Sequence, residues 1–165
     1  MPDSLMRRTL MQIHSQAMLR WNLPLEDDAE LASSPAPSNF RILIVNEDMR
    51  CADSLKRTLY DLGYFTTCTA YSARRALAVA EDFAPAVVLL DLVLPDMTGY
   101  QLAGRLRSHL SIGVRKLPMI AIAELPLYGT AELTRAAGFM GWLPKPVEAV
   151  ALNALLGALQ TGAWS

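Results

Sequence analysis

The sequence is poor in the features that mark secreted, membrane-spanning or nucleic-acid-coating proteins. Only two cysteines occur in 165 residues, Cys51 and Cys68, and they form no CxxC pair. That is too few for a disulfide framework and predicts two reduced, mostly buried thiols in a cytoplasmic protein. No apolar run approaches the ~18 residues of a membrane span. Neither sign of charge is in excess: 15 Lys and Arg against 16 Asp and Glu leave a net −1. Such a balance excludes a general nucleic-acid binder. The two histidines, His14 and His109, are isolated and read as exposed. There is no internal repeat.

What remains is a chain that is 52% hydrophobic, far from the composition of disorder. Its length suits one domain with a short appendage, able to bury roughly two-thirds of its unfolded surface without metal or disulfide. Residues 1–23 carry Arg7, Arg8 and Arg20 against one acid, Asp3. That charge balance is faintly like a targeting peptide, but no apolar h-region accompanies it. Met6, Leu10, Ile13 and Ala17 follow helical spacing, so an amphipathic helix is predicted. Its Met-rich face, with Leu5, Met18 and Trp21, suits docking on its own domain, a partner, or a second copy in a homodimer. Two arginines at 7 and 8 do not make a membrane anchor. Residues 24–39, acidic and then rich in Ser and Pro, read as a linker. Residues 40–160 read as the domain and 161–165 as a tail.

Within the domain, apolar strand-like runs alternate with helical periodicity. The runs are Arg41–Val45, a Thr-rich Phe65–Ala70, Ala86–Leu90, Pro118–Ala123 and Gly141–Leu143. Between them Ala52, Leu55, Leu59 and Leu62 repeat at helical spacing and Gly63 supplies a stop. Ser72 caps a helix carrying Ala76, Leu77, Val79 and Ala80, and another spans about 100–110. A short helix around Glu132, Leu133 and Ala136 ends at Gly138. The last runs from Val147 to Leu159 and includes Val150, Leu152, Leu155 and Leu156. Short connections between such elements force right-handed crossovers. The fold class is therefore α/β, a doubly wound five-stranded parallel sheet with helices on both faces.

Polar residues fall where that sheet should end. Asn46-Glu47-Asp48 follow the first run, Asp91 the third and Lys145-Pro146 the fifth. Ligands of open α/β sheets bind beyond the carboxyl ends of the strands. A carboxylate there is a candidate nucleophile or metal ligand. Hard oxygen donors suit Mg²⁺, and an ammonium beside them can meet a phosphoryl oxygen. A flavin or nucleotide domain would cradle phosphate with a Gly- or Ser/Thr-rich loop, whereas Asn46-Glu47-Asp48 is acidic.

Three pieces in order carry a resemblance: Arg41-Ile-Leu-Ile-Val45 with acids after it, Leu89-Leu-Asp91-Leu-Val-Leu-Pro-Asp-Met-Thr-Gly99, and Lys145-Pro146. From about Arg41 to Leu159 the chain resembles the receiver domain of two-component response regulators. The resemblance implies a flavodoxin-like (βα)₅ fold and phosphorylation on Asp91, with Lys145 contacting the phosphoryl group and a cis bond before Pro146. It also implies Mg²⁺ at Glu47, Asp91, the Val93 carbonyl and, weakly, Asn46. The implied partners are a histidine kinase or phosphotransfer protein and a downstream protein, with no nucleic acid and no membrane. Signals in such domains leave through the fourth helix, fifth strand and fifth helix. Nothing after Leu159 is long enough to encode an output domain, so protein–protein contact is the expected output, and no enzyme activity is expected.

Some positions depart from the pattern. Asn46 replaces the first acid, so two formal carboxylates are expected at the metal rather than three. Ala123 replaces the Thr or Ser whose hydroxyl bonds the phosphoryl group, a bond worth about 1.5–3 kcal/mol. Trp142 takes the place of the mobile aromatic and is expected to stay packed as core. Thr98, where an acid often stands, reads as a plain turn residue. These departures keep open a second reading, a phosphate-independent adaptor.

Overall fold

The computed structural model describes residues 39–109, 117–124 and 130–162. The expectations for the 1–23 helix, for His14 and for the linker apart from Asn39 lie outside those residues, as does the tail beyond Gly162. Described in chain order are β1 (Ile42–Val45), α1 (Met49–Asp61), β2 (Thr67–Ala70), α2 (Ala73–Phe83), β3 (Val87–Asp91), α3 (Gly99–Ser108), β4 (Met119–Ala123), α4 (Thr130–Ala136), β5 (Gly141–Pro144) and α5 (Ala149–Gln160). The strands form one sheet in the order β2-β1-β3-β4-β5, all pairs parallel. The doubly wound fold read from the sequence is therefore present.

Strand composition follows position in the sheet. β1, β3 and β5 are buried at every residue and β4 at all but its last. That is why they read as unbroken apolar runs. β2 lies at an edge, is buried only at Ala70, and tolerates Thr and Cys. It begins at Thr67 rather than Phe65, whose ring is 69% exposed and packs edge-on against Tyr60 at 5.1 Å.

Each helix buries one stripe. α1 buries Ala52, Leu55 and Leu59, and α3 buries Leu102, Ala103 and Leu106. The stripe of α2 is small, Ala73, Ala76 and Ala80, while Leu77 and Val79 are only half-buried. α5 buries Ala151, Leu152, Leu155 and Leu156 and packs Leu155 against Gly141, where an added Cβ would lie 3.2 Å from the Leu155 Cδ2. Gly63 and Gly138, at φ +92° and +80°, follow α1 and α4 as the expected helix stops.

Four expectations are corrected. Val150 is 81% exposed, because it lies on the face of α5 opposite the stripe that the helix buries. Cys51 is exposed and Cys68 half-buried, since Cys51 sits on the flank of α1 away from its apolar stripe. His109 is half-buried, with its Nδ1 shielded. Helices α3 and α5 are Gly99–Ser108 and Ala149–Gln160, each displaced one or two residues from the sequence reading. No described helix is long and apolar enough to cross a membrane.

Two glycines in α3 have opposite requirements. A Cβ on Gly99 would meet the Asp91 carbonyl oxygen at 2.6 Å and the Leu92 Cα at 2.7 Å, whereas one on Gly104 would meet nothing within 4 Å. Gly99→Ala should therefore destabilise by about 1–3 kcal/mol. Gly104→Ala should stabilise by about 0.5–1 kcal/mol. Urea unfolding midpoints of the two variants check both signs.

Candidate functional site

The topology reverses between β1 and β3, and their carboxyl ends open side by side. Val45 pairs with Leu90, so Asn46, just past the end of β1, and Asp91, the last residue of β3, come out at the same edge. Ile122 of β4 stands opposite Asp91, and β5 continues past Pro144 as Lys145, whose N–H donates to the Ala123 carbonyl at 2.8 Å. The peptide bond before Pro146 is cis.

Two residues that the sequence placed at different strand ends are in contact. Lys145 Nζ donates to Asp91 Oδ2 at 2.5 Å, with side-chain exposures of 29% and 3%. The other carboxylate oxygen of Asp91 accepts from the Val93 N–H at 2.9 Å. The Asp91 carboxylate is thus buried, directed at the carboxyl edge of the sheet and held by a cation and a backbone donor. Beside the pair lies a recess of about 670 Å³ lined by Asn46, Arg50, Cys51, Glu124, Lys145 and Val147, among others.

The acidic triplet after β1 divides its roles. Asn46 is 3% exposed, and its Oδ1 accepts from the Asp48 N–H at 2.9 Å, turning the chain into α1. Asp48 is the N-cap of α1, accepting from the N–H of Arg50 at 2.8 Å and of Cys51 at 3.4 Å. Those donors hold its carboxyl below the usual range. Glu47, between them, is exposed. No group of three or more His, Cys, Asp or Glu side chains converges among the described residues. In kind, the Glu47 and Asp91 carboxylates, the Val93 carbonyl and the Asn46 amide oxygen are the hard oxygen donors that Mg²⁺ takes while keeping several waters. Partial burial, and then the Asp48 carboxylate, push the Cys51 thiol up.

The departures from the expected pattern have definite surroundings. Ala123 is half-buried at the end of β4 and brings no hydroxyl to the edge. Trp142 is 8% exposed in β5, and its indole N–H has no partner among the described residues. It is core in this structure. Thr98 is more than a turn residue. It caps α3 in a capping box, its Oγ1 accepting from Gln101 N at 3.2 Å while Gln101 Oε1 accepts from Thr98 N at 3.0 Å.

The sequence reading missed two contributors. Glu124 lies next to Ala123 and lines the recess, a position that only the pairing of β4 with β5 discloses. Asp96 accepts from the N–H groups of Ala73 and Arg74 at 2.9 and 2.8 Å, which hold its carboxyl below the usual range. No local spacing signals a cap that comes from 23 residues away.

The profile of the family described as "Response regulator receiver domain" matches residues 42–157. An uncharacterized 14.6 kDa protein of the sodA1 3′ region of Leptolyngbya boryana is 33% identical over 115 residues, 70% of this chain and 86% of that protein. The polar-differentiation response regulator DivK of Brucella ovis is 26% identical over 64% of this chain and 85% of its own length. Among solved structures, the Vibrio cholerae chemotaxis protein CheY4 superposes with a TM-score of 0.65 at 26% identity, covering 72% of this chain and 97% of that one.

Two outcomes follow from the site's electrostatics. Lys145→Met strands one oxygen of a buried carboxylate, whereas Asp91→Asn removes the buried charge and leaves a lysine that can reach water. The first variant should be less stable than the second by about 1–3 kcal/mol in urea unfolding at pH 7. Asp48 and Asp96 bind protons less readily folded than unfolded. Their stabilisation is complete above the ordinary carboxylate pKa and lost as pH falls below about 4. Replacing both with Asn should flatten the fall of stability between about pH 5 and 2, followed by thermal unfolding across that range.

Proposed function

This chain belongs to the response regulator receiver family of two-component signalling, and from that premise we propose that Asp91 accepts a phosphoryl group from a histidine kinase or phosphotransfer protein. One observation carries this reading: a 3%-exposed carboxylate at the end of β3, bonded at 2.5 Å to the ammonium of Lys145. A buried ion pair contributes little net stability, since desolvation offsets the attraction. The same pair is well suited to an incoming anion. An Asp91 oxygen attacks phosphorus, the bond from phosphorus to the donor nitrogen breaks, and the imidazole leaves and takes up a proton. Lys145 then turns its N–H from Asp91 to a phosphoryl oxygen, and the Val93 N–H keeps the carboxylate oriented.

Glu47 and Asp91, with the Val93 carbonyl and the Asn46 amide oxygen, would hold Mg²⁺. The ion would offset the charge that gathers on the phosphoryl oxygens. With two carboxylates in that set, Mg²⁺ binding should be weak. The near-neutral charge of the chain supports protein partners over nucleic acid as the output, and two cysteines without a CxxC pair support a cytoplasmic setting.

A second reading, a phosphate-independent adaptor, is favoured by Ala123 and by the buried Trp142. Without a hydroxyl at position 123, nothing on β4 would draw toward a phosphoryl group, and Trp142 would keep its place whether or not Asp91 is modified.

The test is incubation with Mg²⁺ and acetyl phosphate, read by intact mass. Uptake of one phosphate, abolished in Asp91→Ala, is the expected result. A protein that takes up none under saturating donor would leave the adaptor reading in place.

A further inference from the structure

The loop between β3 and α3 is fixed at its base and at its tip. At the base, Gly99 N donates to the Leu92 carbonyl at 2.9 Å, and Val93 and Thr98 form an antiparallel bridge. Leu94 is buried beneath the loop. At the tip, Asp96 reaches across to another element. Its Oδ1 accepts from Ala73 N at 2.9 Å and its Oδ2 from Arg74 N at 2.8 Å. Both are first-turn donors of α2 that find no acceptor within their own helix.

α2 already has a local cap, because Ser72 Oγ accepts from Arg75 N at 3.2 Å. The second cap comes from the loop that carries Val93, and the Val93 N–H holds Oδ1 of Asp91 at 2.9 Å. An exposed carboxylate that never touches Asp91 thereby fixes the segment that aims it. The anchor on the far side is an 11-residue helix whose stripe of alanines is packed on the sheet.

We propose that Asp96 is a positioning residue for phosphoryl transfer at Asp91: by binding the start of α2 through both carboxylate oxygens, it holds the Val93 end of the loop in register with the Asp91 carboxylate. This deepens the phosphoacceptor reading and rests on it. Small misplacements of a reacting group cost up to about a hundredfold in rate. The bridge and Leu94 remain when Asp96 is lost, so slowing rather than abolition is expected.

The experiment compares Asp96→Ala, Asp96→Asn and Ser72→Ala in the full chain, with acetyl phosphate and Mg²⁺. It reads the phosphate uptake rate, amide hydrogen exchange at Val93 and the urea midpoint. Asp96→Ala should slow uptake about tenfold or more and speed exchange at Val93. Asp96→Asn should recover part of both, since its amide oxygen can accept one of the two bonds. Ser72→Ala weakens the same helix end and should leave uptake and Val93 exchange as in the wild type. Equal slowing by Ser72→Ala, or undiminished uptake in Asp96→Ala, would overturn the positioning role while the phosphoacceptor reading stands. A wild-type chain that takes up no phosphate would overturn both, even with Val93 protected.

Discussion

A carboxylate taken out of water must be compensated, and in this domain the compensation for Asp91 organises everything around it. Lys145 and the Val93 N–H supply it from two separate elements, β5's extension and the loop after β3. Neither can be in place unless the five strands are in register, since Asp91 and Lys145 are 54 residues apart in the chain. Mutual attraction in a low-dielectric site barely offsets the desolvation of the pair. The sheet therefore holds this contact more than the contact holds the sheet.

The loops that frame the edge are held by polar side chains that accept from backbone N–H groups, most of them the orphan donors of helix first turns. Asn46 accepts the Asp48 N–H, Asp48 caps α1, Thr98 and Gln101 cap α3, and Asp96 caps α2 from outside. Asn46 lacks the charge expected at its position yet keeps an oxygen in use, so its replacement of an acid leaves the turn into α1 intact. What differs from the receiver pattern is one formal charge. Ala123 departs further, because it brings a methyl group where the receiver pattern has a hydroxyl. Trp142, which pairs with Ala121 in the register of β4 and β5, is buried.

The sequence by itself determined the sheet and its polar edge. Period-free apolar runs such as Val87–Leu90 can be satisfied only where both faces are covered, and short helical links between them leave a parallel doubly wound sheet as the outcome. Asp91 and Lys145 were legible because one ends an apolar strand run and the other follows one, and strand ends on one side of a parallel sheet converge whatever the detailed packing.

Only the tertiary structure decided what depends on distance between elements or on helix phase. The contact at 2.5 Å, the recess that adds Glu124, and the reach of Asp96 to α2 are set by strand pairing across dozens of residues, which no local spacing encodes. The exposure of Cys51 and Val150 was missed for a related reason. Composition ranks a residue by type, but burial is fixed by which few degrees of a helix face the sheet, and that angle is chosen by the packing of Leu55, Leu59, Leu152 and Leu156.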